Sequence, residues 1–367
     1  MAGLYIHIPF CHSKCAYCDF YSMPHTDHID DYVRAVTLEW NLRRHETSEP
    51  INTIYLGGGT PSILSPEQLS RITRAIPTDG IIEYTIEANP EDITTDKAKT
   101  WLDSGIRRVS MGIQSLDDNC LKIVGRRHSA HEALHAVEVL RTAGYTNISL
   151  DVMYGLPGQS IDSWKDTLHR ILSYAPEHLS AYALSIEHGT RLYAAVSAGK
   201  VRPADDETYI AMYDILCAET AAAGYEHYEI SNFALPGFRA IHNSHYWDMT
   251  PYIGLGPGAH SWDGNTRRIN PSDLSAYIAA IDSGNVACKI EAENDIDRLN
   301  DMIFTSMRTI DGLKIDLLPE PYRAQFVKTA QQFADDIVFA DRRIRIRPQS
   351  WMISDSIIRE LLIDNQS

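Results

Sequence analysis

The chain has 367 residues, of which 44% are hydrophobic and 22% charged, a composition typical of a folded globular protein rather than a largely disordered one. Its formal net charge of −16 opposes the dense positive charge with which proteins bind nucleic acids, so we expect no nucleic-acid partner. No stretch reaches the roughly 18 apolar residues of a membrane-spanning helix, and the first residues lack a secretory signal pattern. Peripheral contact with a membrane stays open.

Strand-like and helical segments alternate along the first half of the chain. We predict strands at residues 4–8, 53–56, 81–88, 108–113, 148–153 and 179–186, and helices at 27–45, 65–76, 129–144 and 160–175. Repeated strand-then-helix units predict parallel strands with right-handed crossovers. Six units are too few for a closed eight-stranded barrel. The sequence therefore predicts an α/β fold, a partial (β/α)6 TIM-like barrel.

Residues with chemically useful side chains follow every predicted strand. In barrels of parallel strands, ligands bind at the carboxyl ends of the strands. Here those ends lead into a cysteine cluster and then into the segments GGGTPS (57–62), EANPE (87–91), GIQS (112–115), DVMYGLPG (151–158) and SIEHGT (185–190). This arrangement predicts a single ligand site on one rim of the barrel.

Three of the six cysteines, Cys11, Cys15 and Cys18, form a C-x3-C-x2-C array, and the other three are scattered. This distribution does not resemble a disulfide framework, so we expect a reducing compartment, the cytoplasm. A structural zinc site would need a fourth ligand such as His12 or His25. A 4Fe-4S cluster held by three thiolates would leave one iron open for a ligand. The glycine-rich segment after the second strand favours the cluster.

The motifs together resemble one known family. The segments YIHIPFCHSKCAYCDF (5–20), YLGGGTPS (55–62), EANP (87–90), GIQS (112–115), GRRH (125–128) and DVMYGLPGQ (151–159) occur in order. As a set they resemble the radical S-adenosylmethionine superfamily, and within it the branch of oxygen-independent coproporphyrinogen III oxidase and the HemW-type haem chaperones. The resemblance covers residues 4–190 most clearly.

This resemblance implies a set of cofactor contacts. Cys11, Cys15 and Cys18 would hold the cluster, and its open iron would chelate S-adenosylmethionine. Tyr5 would lie beside the sulfonium and Tyr17 near the adenine. Gly58, Gly59 and Thr60 would approach the methionine end of S-adenosylmethionine. Contacts to one or the other of two S-adenosylmethionine molecules would be made by Glu87, Gln114, Arg126 and Asp151. Each of these residues also has a structural interpretation, as a turn, strand-end or surface residue.

This sequence departs from the oxidase pattern at two points, and both favour the chaperone. Phe20 stands where the oxidase pattern has a further cysteine, and only four residues precede Tyr5, where the oxidase has an extension. The motif H-N-x-x-Y-W, with His242 as its first residue, is similar to a signature of the chaperone branch. An imidazole can ligate haem iron, while Tyr and Trp offer flat faces to the macrocycle. His242 is the candidate haem ligand, His245 and His260 compete with it, and a structural histidine is the alternative.

Beyond residue 238 the alternation of strands and helices ends. We predict two domains, the radical S-adenosylmethionine barrel at 1–238 and a mainly helical, winged-helix-like domain at 239–367. A hairpin is expected to turn at Asp341 and Arg342, and a last helix to be capped by Ser354 or Asp355.

The sequence thus suggests a haem chaperone-like protein that binds a 4Fe-4S cluster, S-adenosylmethionine and haem. It would deliver haem to accepting proteins, with respiratory enzymes as one class of candidate. The alternative is an oxygen-independent coproporphyrinogen III dehydrogenase, and whether any radical reaction is catalysed stays open.

Overall fold

The computed structural model describes residues 1–364, and its centre is a sheet in which six parallel strands follow one another in chain order. The carboxyl ends of all six strands lie at one edge. The prediction of an α/β partial (β/α)6 barrel is confirmed. These strands are β1 (Ala2–Ile8), β2 (Ile51–Gly58), β3 (Glu83–Ala88), β4 (Arg108–Gln114), β5 (Ile148–Tyr154) and β6 (His178–Ala183).

Helices connect these strands and cover the sheet. Local sequence explains several of their ends: α2 and α5 begin with capping boxes, Ser65 with Gln68 and Ser129 with Glu132, and Gly144 ends α5 at a φ of 108°. Eight helices lie in this part of the chain, namely α1 (Ile29–Arg43), α2 (Pro66–Ala75), α3 (Thr95–Asp103), α4 (Asp118–Ile123), α5 (Ala130–Ala143), α6 (Ile161–Ser173), α7 (Arg191–Ser197) and α8 (Asp206–Ala222).

The sheet does not close, because both outer barrel strands pair with further strands. Beside β6 lie β8 (Asn232–Ala234) and then β7 (Glu226–Glu229), both antiparallel to their neighbours. Beside β1 lies β9 (Tyr252–Leu255), which is parallel to it. The sheet continues from β9 through β10 (His260–Trp262), β11 (Thr266–Ile269) and β12 (Lys289–Ala292). Two short helices flank these strands in the chain, α9 (Ile241–Trp247) and α10 (Leu274–Asp282).

The last part of the described chain is mainly helical and winged-helix-like. It contains α11 (Asp295–Ser306), α12 (Glu320–Ala330), α13 (Ser354–Leu361) and a sheet in which β15 (Arg343–Ile346) lies between β13 (Leu313–Lys314) and β14 (Ile337–Ala340). The predicted hairpin is confirmed, since Asp341 and Arg342 at its turn have φ angles of 52° and 60°.

The predicted cap of the last helix was wrong. Ser354 is the first residue of α13, and neither Ser354 nor Asp355 caps it. The physical reason is a 3₁₀ turn, residues 348–353, that runs directly into the helix. Ser354 already has helical backbone angles, φ −56° and ψ −38°, and its N–H donates to the carbonyl of Trp351. It therefore continues the turn into the helix and lacks the extended conformation that a capping residue needs.

The two largest hydrophobic clusters of the described chain lie in different parts of the molecule. The larger core lies between the barrel strands and their helices and includes Ile253, Leu255 and Tyr277. The smaller core draws on the winged-helix-like part, from Ile303 to Ile363. The division at residue 238 stays a prediction, and both strand pairing and core packing favour a boundary after β12. Within residues 1–364, no helix is long and apolar enough to cross a membrane.

Candidate functional site

The three clustered cysteines lie on a closed loop directly after β1. The Cys11 N–H donates to the carbonyl of Met23 over 3.0 Å, and the Met23 N–H donates back to the carbonyl of Pro9 over 2.7 Å. Cys11 is buried, while Cys15 and Cys18 are partly exposed. The loop therefore presents its thiols at the rim where the sequence predicted a ligand site.

Burial disfavours the thiolate forms of the cysteines on this loop unless a cation is bound. It raises the pKa of Cys11 and of Cys18, and the neighbouring Cys15 raises both further. Metal ligation requires thiolates, so iron would supply the missing positive charge. Among residues 1–364, no three His, Cys, Asp or Glu side chains converge as ligands of a single ion would. In a 4Fe-4S cluster each thiolate binds a different iron, so such convergence is not required. The donor set therefore fits a cluster.

Hydrogen-bond donors already face two of the thiols. The Thr60 hydroxyl donates to Cys11 Sγ over 3.3 Å, and Arg126 Nη1 donates to Cys15 Sγ over 3.5 Å. Donors of this kind stabilise negative charge on sulfur. Two residues that the resemblance assigned to S-adenosylmethionine thus contact the cysteine loop in this structure.

The glycine-rich segment packs against the end of β1. Gly58 has a φ of 110°, and a Cβ there would lie 2.6 Å from the His7 ring. A Cβ on Gly59 would lie 2.7 Å from the carbonyl oxygen of Phe10. The Gly58 N–H donates to Glu87 over 3.0 Å. Glycine is therefore required here by chain packing, and contact with the methionine end of S-adenosylmethionine stays a prediction.

Two predicted acids lie inside the barrel. Glu87 accepts hydrogen bonds from the Tyr55 hydroxyl at 2.8 Å, and burial together with the nearby charge of Asp151 raises its pKa to about 7. Asp151 accepts from the Ser110 hydroxyl at 3.1 Å, and burial raises its pKa as well. The structure thus brings together two carboxyl groups whose ionisation responds to bound charge.

Arg126 and Gln114 meet around Gly112 at the end of β4. A Cβ on Gly112 would lie 2.7 Å from the Gln114 amide nitrogen and 3.2 Å from Arg126 Nη2. Gln114 has a left-handed φ of 65°, which is uncommon for a residue other than glycine and is found at functional sites. Arg126 Nη2 donates to Asn89 Oδ1 over 2.8 Å. Sequence reasoning missed Asn89, although it lies in the quoted EANP motif.

The two predicted cofactor tyrosines have different surroundings. The Tyr5 hydroxyl lies 3.0 Å from His7 Nδ1, and its ring centroid lies 6.2 Å from that of Tyr55. Tyr17 packs against a small apolar cluster that includes Val124. Burial raises the Tyr17 pKa, against the opposing charge of Arg126. Tyr5 therefore belongs to the barrel interior and Tyr17 to the cysteine loop.

A cavity of about 430 Å³ opens beside Tyr5. This volume lies in the range of cofactor pockets, and such pockets combine aromatic walls with a few polar groups. Aromatic side chains and carboxyl, amide and guanidinium groups line it, namely Tyr5, Tyr55, Tyr182, Tyr246, Trp247, Glu87, Glu229, Arg308, Asn232 and Asn243, together with Ile230 and Ser231.

The H-N-x-x-Y-W motif forms α9, which a remote side chain caps. The Glu83 carboxylate accepts hydrogen bonds from the N–H groups of Ile241 at 2.9 Å and His242 at 2.8 Å. A carboxylate at a helix N-terminus is favoured by the helix dipole as well as by these bonds. The cap fixes α9 so that three residues of the motif, Asn243, Tyr246 and Trp247, line the cavity.

His242 itself lies behind the cavity wall. Its Nδ1 lies 2.9 Å from the Thr53 hydroxyl and its Nε2 lies 3.0 Å from the Tyr246 hydroxyl. Burial, with a smaller effect of His245, lowers its pKa to about 3. Both ring nitrogens are thus engaged, and ligation of haem iron by His242 stays a prediction. Of its competitors, His245 is buried and His260 is exposed on β10.

Sequence reasoning also missed two charged residues of the cavity. Burial raises the pKa of Glu229 to about 7, and the charge of Arg308 opposes that rise. The Arg308 guanidinium lies 4.0 Å from the centre of the Phe304 ring. Glu229 ends β7, and no signal in the sequence distinguishes Arg308 from other helix-terminal arginines.

Comparison with known proteins shows the family of the chain. The model of the radical SAM superfamily matches residues 5–171. The heme chaperone HemW of Bacillus subtilis is 34% identical over 88% of this chain and 87% of its own length. That of Lactococcus lactis is 31% identical over 98% of this chain and 97% of its own length.

A solved structure shows the same fold. Coproporphyrinogen III oxidase (HemN) from Escherichia coli, described as a radical SAM enzyme, superposes with a TM-score of 0.83 at 23% identity, covering 98% of this chain and 90% of that one. At this identity the likeness concerns the fold alone. The match to the superfamily model and the identity to the HemW proteins over nearly their whole length lead to one conclusion: the chain belongs to the radical SAM superfamily and, within it, to the family of the heme chaperones HemW.

Proposed function

We propose that this protein is a haem chaperone that binds a 4Fe-4S cluster, S-adenosylmethionine and haem and delivers haem to accepting proteins. The observation that carries the proposal is the cavity lined by Asn243, Tyr246 and Trp247, next to the barrel residues Tyr5 and Glu87. Its relatives' name, heme chaperone HemW, supports the same role. We place the protein in the cytoplasm, and respiratory enzymes are the recipients we favour.

In this proposal Cys11, Cys15 and Cys18 hold the cluster. When bound, the cluster and S-adenosylmethionine supply one-electron chemistry that no side chain of the protein can perform. The chain donates hydrogen bonds to sulfur, excludes water and orients the nucleotide. The residues we assign to contact with S-adenosylmethionine are Tyr5, Tyr17, Gly58, Gly59, Thr60, Glu87, Gln114, Arg126 and Asp151.

Haem is assigned to the aromatic cavity. The flat faces of Tyr246 and Trp247 suit a macrocycle, and Arg308 can pair with a propionate of the ligand. Because the pKa of Glu229 is raised to about 7, its carboxyl group is partly neutral at neutral pH and repels a propionate less. His242 remains the proposed axial ligand, and it would have to release its hydrogen bonds to Thr53 and Tyr246.

Haem titration of the purified protein tests this assignment. We expect Trp247→Ala to weaken haem binding at least tenfold, since it removes a large aromatic face from the cavity wall. Tyr193→Ala is the matched control, because Tyr193 is exposed on α7 and does not line the cavity. Equal haem affinity of the two variants, at equal folded content, would remove the cavity from the proposal.

A second candidate function is oxygen-independent coproporphyrinogen III dehydrogenase. The likeness of fold to HemN, at a TM-score of 0.83, favours keeping it. Anaerobic incubation with coproporphyrinogen III, S-adenosylmethionine and a reductant distinguishes the two roles. Formation of protoporphyrinogen would replace the chaperone with the dehydrogenase, whereas haem transfer to an apo-protein without product supports the chaperone.

A further inference from the structure

A continuous chain of hydrogen bonds joins two of the three clustered thiols through the protein. Thr60 donates to Cys11 Sγ over 3.3 Å, and Asn89 Nδ2 donates to Thr60 Oγ1 over 3.3 Å. On the other side, Arg126 Nη2 donates to Asn89 Oδ1 over 2.8 Å, and Arg126 Nη1 donates to Cys15 Sγ over 3.5 Å. Asn89 is the central member of this chain.

The chemistry of the groups fixes the direction of every proton. A guanidinium has only donors, so the Asn89 group that faces Arg126 must be its oxygen. The Asn89 amide nitrogen then faces Thr60 and donates to its oxygen. The single hydroxyl proton of Thr60 is left for Cys11. Asparagine, with one acceptor and one donor side, is therefore the residue that directs a proton toward each thiol.

The protein holds Asn89 firmly in this orientation. Its backbone N–H donates to Ser62 Oγ over 3.2 Å, and the Ser62 hydroxyl donates to Asp92 over 2.7 Å. Ser62 and Asp92 are both buried. Arg126 is fixed separately, because its Nη2 also donates to the carbonyl of Gly112. The chain of bonds is thus anchored at several points outside the cysteine loop.

We propose that Asn89 is a positioning residue that sets the hydrogen bonds on two of the cluster thiolates and thereby raises the reduction potential of the cluster. Reduction adds negative charge to the cluster, and donors to its sulfurs stabilise that charge. This inference rests on the proposed assignment of Cys11, Cys15 and Cys18 as cluster ligands. It adds that the protein sets the reduction potential of the cluster, which the assignment of the ligands does not include.

The test is a redox titration of the reconstituted protein, followed by electron paramagnetic resonance without S-adenosylmethionine. Asn89→Asp places an acceptor opposite Thr60, which turns the hydroxyl proton away from Cys11 and adds a negative charge. Thr60→Val removes the donor without adding charge, and Thr60→Ser keeps it. We expect Thr60→Ser to match the wild-type midpoint, Thr60→Val to lie below it and Asn89→Asp to lie lowest.

Iron and sulfide content, measured on every sample, separates this inference from the proposed function. A wild-type protein that binds no cluster overturns the proposed function and the inference together. Unchanged midpoints in Asn89→Asp and Thr60→Val at full iron content overturn the inference alone. If Asn89→Asp does not load iron, the two variants of Thr60 provide the test. A lower midpoint potential for Thr60→Val than for Thr60→Ser supports the inference. Equal midpoint potentials overturn it.

Discussion

A buried carboxylate joins the first helix of the barrel to the strands beyond residue 238, and its replacement gives a sharp prediction. Glu39 on α1 is fully buried. Its Oε1 accepts hydrogen bonds from Arg43 Nη1 and Asn270 Nδ2, each at 2.8 Å. Its Oε2 accepts from the Gly256 N–H at 2.8 Å and the Tyr277 hydroxyl at 2.7 Å. All four groups donate to Glu39. Arg43, the Asn270 amide nitrogen and the Gly256 N–H can only donate, so an uncharged amide cannot satisfy the whole set.

Glu39→Gln keeps the size of the side chain but turns one oxygen into an NH₂ group that faces two donors. The variant loses at least one hydrogen bond to a charged group, which contributes about 1.5–3 kcal/mol. Arg43 keeps Glu46 as a partner at 2.9 Å, so no wholly unpaired charge is left behind. We therefore expect the free energy of unfolding to fall by about 1.5–3 kcal/mol.

Urea unfolding followed by tryptophan fluorescence measures this change. Asp282→Asn is the matched control, because the exposed Arg34–Asp282 pair also joins α1 to α10. We expect the control to change the free energy of unfolding far less, since exposed ion pairs contribute little. If Glu39→Gln were no more destabilising than the control, the reasoning that this carboxylate fastens β9 and α10 to the barrel would be refuted.

Three further predictions concern the candidate site. Cys15→Ala should abolish cluster binding, which iron and sulfide analysis of the reconstituted protein measures. Because burial raises the pKa of Glu87 to about 7, its carboxylate is lost as the pH falls through 7. The affinity for S-adenosylmethionine should therefore fall up to about tenfold between pH 8 and pH 6, and Glu87→Gln should remove that dependence. Tyr246→Phe frees Nε2 of His242, so haem should bind more tightly than in the wild type if His242 is its ligand.

Each of these predictions has a clear contrary result. A Cys15→Ala variant with full iron content would contradict the cluster assignment. A pH dependence that survives in Glu87→Gln would mean that another group titrates, with Asp151 the nearest candidate because burial also raises its pKa. If Tyr246→Phe binds haem no better than the wild type, and His242→Ala keeps the wild-type Soret band, His242 is not the axial ligand.

The barrel could be predicted from the sequence because its strands carry their own signal. The six strands β1–β6 are each six to eight residues long and alternate with helices of clear amphipathic period. The strands β9–β12 have only three or four residues each. Pairing of β9 with the edge of β1, and of each further strand with the one before it, stabilises them. Such short segments show too little periodicity to be distinguished from loops, so the sequence analysis missed them.

The residues of the candidate site were also predicted only in part. Residue types at strand ends pointed to Glu87, because parallel strands bring their carboxyl ends to one rim. Arg126 was indicated by the family resemblance alone. The partner of each group could not be predicted. Asn89 contacts Thr60, 29 positions before it, and Arg126, 37 positions after it, and only the packed ends of β2, β3 and β4 bring these three side chains together.

The H-N-x-x-Y-W motif shows how helical spacing separates two roles within six residues. Asn243 and Trp247 are four positions apart, so they lie on the same face of α9, and that face lines the cavity. His242 and His245 are three positions apart and share another face, where both lie within hydrogen-bond distance of the Thr53 hydroxyl. The face of Asn243 and Trp247 is therefore available to a flat ligand, while the two histidines fasten the helix to β2. Tyr246 joins the two sides, since it lines the cavity and its hydroxyl lies 3.0 Å from His242 Nε2. Substitutions on the cavity face should lower ligand affinity, and those on the histidine face should lower stability first.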